Sequence, residues 1–159
     1  MNTTNRSAMV KLLSAVLLFG TIGLFRTWSG LPSGLLSMTR GLIGAAFLFA
    51  YMLGCSNMAM YLAKAKNVSL SGGSGNPGTS NATLLMGWRA GILVGIHDIG
   101  KGVLAVLLSE LIFPELAYIG AVAGVACVMG HIFPVFMKFR GGKGLAAYIG
   151  MILALNWKF

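Results

Sequence analysis

Long apolar runs separated by short polar stretches leave this chain essentially one kind of fold. They cover residues 8–25, 41–62, 90–113 and 116–136, with a shorter one at 145–155. A helix needs roughly 20 apolar residues to cross the hydrocarbon core, so the first four are long enough to span it. Backbone polar groups inside a bilayer must bond within the protein, which makes such spans helical. With 57% hydrophobic and 9% charged residues, the chain falls outside the soluble classes. The expected fold is an all-α integral membrane protein, a multi-span helical bundle forming one domain from residue 41 onward. Residues 1–40 read as an extra N-terminal span and linker. Arg6 and Lys11 ahead of an apolar run also fit a signal peptide, but no small-x-small cleavage site follows before Pro32. The run at 145–155 is too short to cross, so it reads as a partial or re-entrant helix, or as the start of a longer chain.

Charge gives an orientation. The net charge of +9 arises from 12 Lys and Arg against Asp98, Glu110 and Glu115. These cations stand singly or in small groups between apolar runs, with no aromatic-lined polar surface for bases, so nucleic acid is not an expected partner. Lys64, Lys66 and Arg89 lie between the second and third runs, and Lys138, Arg140 and Lys143 follow the fourth. Only Glu110 and Glu115 lie between the third and fourth. The positive-inside rule therefore puts both basic loops in the cytoplasm, with Arg26 and Arg40 weighing mildly against it. Two spans separate these loops, so parity also places them on one face, where they can build one site.

Both loops are rich in glycine: Gly73-Ser74-Gly75-Asn76-Pro77-Gly78-Thr79-Ser80-Asn81 and Arg140-Gly141-Gly142-Lys143-Gly144. Glycine frees the backbone to turn its N–H groups toward an anion, and a lysine ammonium among glycines suits phosphate. The G-x-G-x-x-G spacing from Gly73 to Gly78 lacks the flanking strand and helix of a dinucleotide fold. An ordinary interfacial turn of Gly, Asn, Pro and Ser is the plain alternative. Within the third run, Asp98 and Lys101 share a helix face, as an ion pair or as polar support for a site. His97 points about 100° away from Asp98 around a helix and reads as a packed histidine. His131, near the end of the fourth run, suits a phosphate contact, a base or a packed helix end. Cys55 and Cys127 lie in apolar segments, and neither histidine has metal-ligand company, so no metal and no cofactor is expected.

Three motifs together, Gly73 to Asn81, Asp98-Ile-Gly-Lys-Gly102 and Gly130-His-Ile-Phe-Pro-Val-Phe-Met-Lys-Phe-Arg-Gly-Gly-Lys-Gly144, closely resemble the PlsY family of acyl-phosphate-dependent glycerol-3-phosphate acyltransferases. Ala50-Tyr-Met-Leu-Gly54 also resembles the family's first span, and the likeness runs from about residue 41 to 155. It implies a PlsY-like membrane domain at 41–159 in the inner membrane of a bacterium. Its substrates would be acyl phosphate and glycerol 3-phosphate, and its product lysophosphatidic acid. Carried over by motif, Ser74, Asn76 and Lys143 are the expected catalytic residues. Gly73, Gly75, Ser80, Asn81, His131, Gly141, Gly142 and Gly144 are expected to bind substrate. The first loop would serve the reacting phosphate and carbonyl, and the second glycerol 3-phosphate. No histidine is placed by sequence to make Ser74 a nucleophile.

The chain departs from the pattern at several points. Leu84 stands where the first motif ends in arginine, and Cys55-Ser56-Asn57 replaces Ser-Ile-Pro after Gly54. The family's C-terminal motif, with its His and Asn, has no counterpart, so the domain reads as C-terminally shortened. These departures leave a non-catalytic membrane paralogue as the alternative. A small transporter is a further one, although no inverted repeat is visible. The orientation is testable with single cysteines at Ser71 and Lys138. Both should resist an impermeant thiol reagent added outside intact cells and react after permeabilisation; labelling from outside would reverse the topology.

Overall fold

The computed structural model describes Gly30 and residues 32–156, and all regular structure among them is helical. The chain divides into two compact units, 1–42 and 43–159. In the first, the described part is Gly30, Pro32 and the opening turns of α1 (Ser33–Gly54), where the Thr39 hydroxyl donates to the Leu35 carbonyl at 2.9 Å. The expected span at 8–25 lies outside the described residues.

The second unit holds the rest of α1, followed by α2 (Met58–Ala65), α3 (Thr79–Met86), α4 (Trp88–Ile112), α5 (Ile119–Ile132) and α6 (Leu145–Asn156). A 3-10 turn at Val135–Met137 follows α5. The single run expected at 41–62 is in fact broken between Gly54 and Met58. Asn57 restarts the helix as an N-cap, its side-chain oxygen accepting from the Met60 amide at 2.9 Å. Gly87, at φ 86°, separates α3 from α4 in a left-handed conformation that favours glycine. The expected fourth run, 116–136, is helical only over Ile119–Ile132. Tyr118, at φ 62°, opens it, and Phe133 lies before Pro134, a position that disfavours helical backbone.

Helix α4 is the hub, packing against α2, α3, α5 and α6. Small residues fill the interior. Ala50, Ala105, Ala123, Ala126 and Cys127 form one buried cluster, and Val106, Met151 and Ala154 another. Large apolar side chains face outward: Leu111 is 76% exposed and Ile96 65%. Water would penalise that inversion, whereas lipid does not, and close backbone approach then becomes the packing force. Three helical stretches, Ser33–Ala65, Trp88–Ile112 and Ile119–Met137, are long and apolar enough to cross a membrane. Helix α6, at 12 residues, is not.

The α4–α6 seam shows that close approach most directly. A Cβ on Gly150 would lie 2.0 Å from the Ile99 carbonyl oxygen, and one on Gly102 2.3 Å from that of Ala147. Gly100 on the same helix meets nothing within 4 Å. Gly150→Val should therefore separate α4 from α6 and cost about 1–3 kcal/mol or more, read as a lower melting temperature in detergent. Gly100→Ala should be neutral or slightly stabilising, because alanine is the better helix former. Equal melting of both variants would contradict this packing.

Candidate active site

A cavity of about 230 Å³ with several polar side chains in its wall opens where the two glycine-rich loops meet α4 and α5. Its walls come from Asn76, Gly78, Thr79 and Ser80, from Asp98 and His131, and from Lys143 to Ala146 and Ile149. Two helices begin in it, α3 at Thr79 and α6 at Leu145. First-turn amides have no intrahelical acceptor, and the positive end of each helix dipole lies there. Both features favour an anion. Pockets for drug-sized ligands run to about 300–1,000 Å³, so this one suits a compact molecule.

Behind the cavity lies a buried charge cluster. Lys101 is 3% exposed and its ammonium meets Asp98 Oδ1 at 3.0 Å. It also donates to the Ser56 carbonyl at 2.7 Å, the Gly54 carbonyl at 3.2 Å and His131 Nδ1 at 2.8 Å. An ammonium has three donors and no acceptor, so these contacts occupy it fully. It also sets the histidine tautomer. His131 Nδ1 lies closer to Lys101 than to Asp98, which is 3.6 Å away, and so accepts. The ring proton then sits on Nε2, the edge packed against Gly142. His131 thus offers a donor on that edge.

The loops divide their labour. Asn81 is buried and both ends of its amide are engaged: Oδ1 accepts from the Ser74 amide at 2.9 Å and Nδ2 donates to the Leu70 carbonyl at 3.0 Å. It shapes the first loop from within, while Ser74, Gly73 and Gly75 lie outside the cavity wall. Asn57 holds the same loop from beneath, its Nδ2 donating to the Pro77 carbonyl at 3.2 Å. In the second loop, the Gly141 amide donates to Ile132 at 2.9 Å and the Gly142 amide to His131 at 3.1 Å. Those glycine amides are committed to the fold. Of the residues singled out in the sequence, Asn76, Ser80, Asp98, His131, Lys143 and Gly144 line the cavity together. Gly78, Thr79 and Ala146 were passed over. Their signal was the helix start after each loop.

His97 corrects its sequence reading. Although its Cα is rotated away from that of Asp98, the ring turns back, and Nδ1 reaches Asp98 Oδ1 at 3.2 Å. Leu84 is 72% exposed and does not line the cavity. Arg89 lies over the Trp88 ring at 5.5 Å, so its charge is directed elsewhere. Lys143 is therefore the cation on the cavity wall, with no ion-pair partner among the described residues.

Together these features define a helical membrane protein with a compact cavity to which two glycine-rich loops contribute. The comparisons agree. The chain belongs to the glycerol-3-phosphate acyltransferase family, whose model matches residues 44–159. Glycerol-3-phosphate acyltransferases of Thermoanaerobacter sp. (strain X514) and Aquifex aeolicus (strain VF5) are each 38% identical over 69% of this chain, covering 55% and 57% of their own lengths. That of Jannaschia sp. (strain CCS1) is 39% identical over 73% of this chain and 57% of its own. The crystal structure of PlsY, an integral membrane glycerol 3-phosphate acyltransferase, in its glycerol 3-phosphate form matches with a TM-score of 0.68 at 36% identity, over 73% of this chain and 58% of that one. Its lysophosphatidic acid form matches with a TM-score of 0.66 at 35% identity. The chain thus spans little more than half the length of the curated relatives it matches.

The packing of His131 on Gly142 yields a direct test. A Cβ on Gly142 would lie 2.2 Å from His131 Nε2, so Gly142→Ala must displace the ring. The expected cost is about 1–3 kcal/mol of stability. The same substitution made in a His131→Ala background should cost little, because the contact is then gone. An unchanged cost in the double variant would place the strain elsewhere.

Proposed function

We propose that this chain carries the phosphate-handling part of an enzyme that transfers a fatty acyl group from acyl phosphate to the sn-1 hydroxyl of glycerol 3-phosphate, forming lysophosphatidic acid. The observation that carries the reading is the single cavity in which two helix N-termini and Lys143 converge. A compact phosphate ester matches its size and its charge. Both glycine-rich loops, in this reading, face the cytoplasm of a bacterial cell, where a water-soluble phosphate ester can enter.

A separate apolar groove supports the lipid half of the proposal. Val103 and Leu107 of α4 face Leu153 and Ala154 of α6 across a groove of about 260 Å³. Ile149 of the first cavity lies one helical turn before Leu153, on the same face. A phosphate held at the helix starts would thus leave its acyl tail along the α4–α6 seam, in contact with lipid.

An acyl phosphate is an activated mixed anhydride, so the chemistry needs no covalent enzyme nucleophile. The glycerol hydroxyl oxygen bonds to the acyl carbon, the bond from that carbon to the phosphate oxygen breaks, and the hydroxyl proton leaves with the phosphate. The protein's part is to hold two anions together and offset developing charge. Lys143, the amides at Thr79, Ser80, Leu145 and Ala146, and the side chains of Asn76 and Ser80 are placed for this work. Ser74, Gly73, Gly75, Asn81, Gly141 and Gly142 support it by shaping the loops, and Gly144 lets the second loop turn at φ 81°.

Lys143 provides the test. It is exposed, so Lys143→Ala should leave the melting temperature unchanged. Losing a charge-assisted phosphate contact costs roughly 1.5–3 kcal/mol, or about ten- to hundredfold in kcat/KM for glycerol 3-phosphate. The assay is lysophosphatidic acid formation from acyl phosphate. Unchanged kinetics in an active preparation would remove Lys143 from the site.

A further inference from the structure

Asp98 Oδ1, which meets Lys101, also meets His97, and neither His97 nor Ser56 lines the cavity. His97 Nδ1 lies 3.2 Å from Asp98 Oδ1, and His97 Nε2 lies 3.0 Å from the Ser56 hydroxyl. A carboxylate cannot donate, so Nδ1 carries the imidazole proton and Nε2 is left to accept from the serine O–H. This is the order of contacts, carboxylate to Nδ1 and Nε2 to hydroxyl, that activates a serine nucleophile on unrelated folds. We infer that Ser56, His97 and Asp98 form a nucleophilic relay that takes activated fatty acyl compounds from the bilayer onto Ser56 and hydrolyses them.

Three further features support the relay. The serine is held on a rigid turn: Lys101 donates to both the Gly54 and Ser56 carbonyls where α1 breaks, fixing the backbone on either side of Cys55. Ser56 directly precedes Asn57, the N-cap of α2. The Met60 amide is taken by Asn57, but those of Met58 and Ala59, in the first helical turn, have no intrahelical acceptor. Amides just after a nucleophile are well placed to stabilise an oxyanion. Access is also available. Asp98 is buried, but the His97 side chain is 22% exposed and Ser56 is half-buried. Met52, near the end of α1, and Leu93, one helical turn before His97, are exposed apolar residues suited to an acyl chain.

The step balances with water alone. Ser56 Oγ bonds to the acyl carbon as its proton passes to His97 Nε2. The bond to the leaving group breaks, and that group takes the proton. Water then attacks the acyl-serine, giving a proton to Nε2, and the acid departs as Ser56 recovers its own. Asp98 keeps the imidazole oriented throughout. The inference does not rest on the transferase reading, although the two sites share Asp98.

The test uses the purified full chain in lipid nanodiscs, a long-chain alkyl fluorophosphonate and p-nitrophenyl octanoate. Mass spectrometry should find the phosphonyl adduct on Ser56, and Ser56→Ala should abolish both adduct and ester hydrolysis. His97→Gln keeps a hydrogen-bonding side chain but cannot take the proton, so labelling should slow by about a hundredfold or more. Melting temperature and elution profile confirm that each variant is folded. No adduct on Ser56 in a folded preparation, or equal labelling rates with His97→Gln, would overturn the relay. Lysophosphatidic acid formation is measured alongside. Transfer without Ser56 labelling sinks the relay alone, and labelling without transfer supports it while sinking the transferase reading. An acyl phosphate in place of the ester then shows whether both sites draw on one substrate.

Discussion

The buried ammonium of Lys101 is the interaction on which the 43–159 unit depends. A charge at membrane depth is costly unless every donor is engaged, and here three N–H groups are spread over two carbonyls, a carboxylate and an imidazole. The two carbonyls belong to the break between α1 and α2, where backbone polar groups would otherwise lie unpaired in hydrocarbon. One side chain therefore makes the break tolerable, neutralises Asp98 and sets the His131 tautomer. Remove it, and a histidine and two carbonyls lose a hydrogen bond while Asp98 loses its buried counter-charge. Losses of that kind are far larger than those of an exposed ion pair.

That arrangement also leaves the proposed anion site with few cations. Lys101 is close by but fully engaged, and Arg89 lies over Trp88. The positive potential comes from Lys143 and from backbone amides at two helix starts. Backbone donors are already fixed in place, so they cost no side-chain entropy when a ligand arrives. Glycine contributes mainly through space rather than through binding. Gly102 and Gly150 bring α4 and α6 to backbone contact, and Gly142 gives the His131 ring its place.

Asp98 joins two groups of residues through one oxygen. Its Oδ1 lies 3.6 Å from His131 Nδ1, on the cavity wall, and 3.2 Å from His97 Nδ1, and His97 meets Ser56. Because Lys101 balances its charge, the carboxylate can sit beside the cavity without adding net negative charge to it. Under the two proposals, this one cluster supports both sites.

The sequence by itself determined the membrane class, the helical character, the approximate limits of α4 and α6, and the adjacency of Asp98 and Lys101. Each follows from a local rule: apolar length, helical period or a three-residue spacing. It also marked the two loops, because glycine, asparagine and lysine at such a density suit an anion as well as an ordinary interfacial turn. Only the tertiary structure decided which loop residues face the cavity. Asn81 and Ser74 look alike in sequence to Asn76 and Ser80, yet Asn81 turns inward because the Leu70 carbonyl and Ser74 amide need a partner there. The break after Gly54 escaped the hydropathy pattern because Cys55 and Met58 continue the apolar run, and Lys101, far along the chain, is what stabilises it. The meeting of Ser56 with His97 was equally hidden. Each looks unremarkable alone, and only the packing of α4 against α2 brings them within a hydrogen bond.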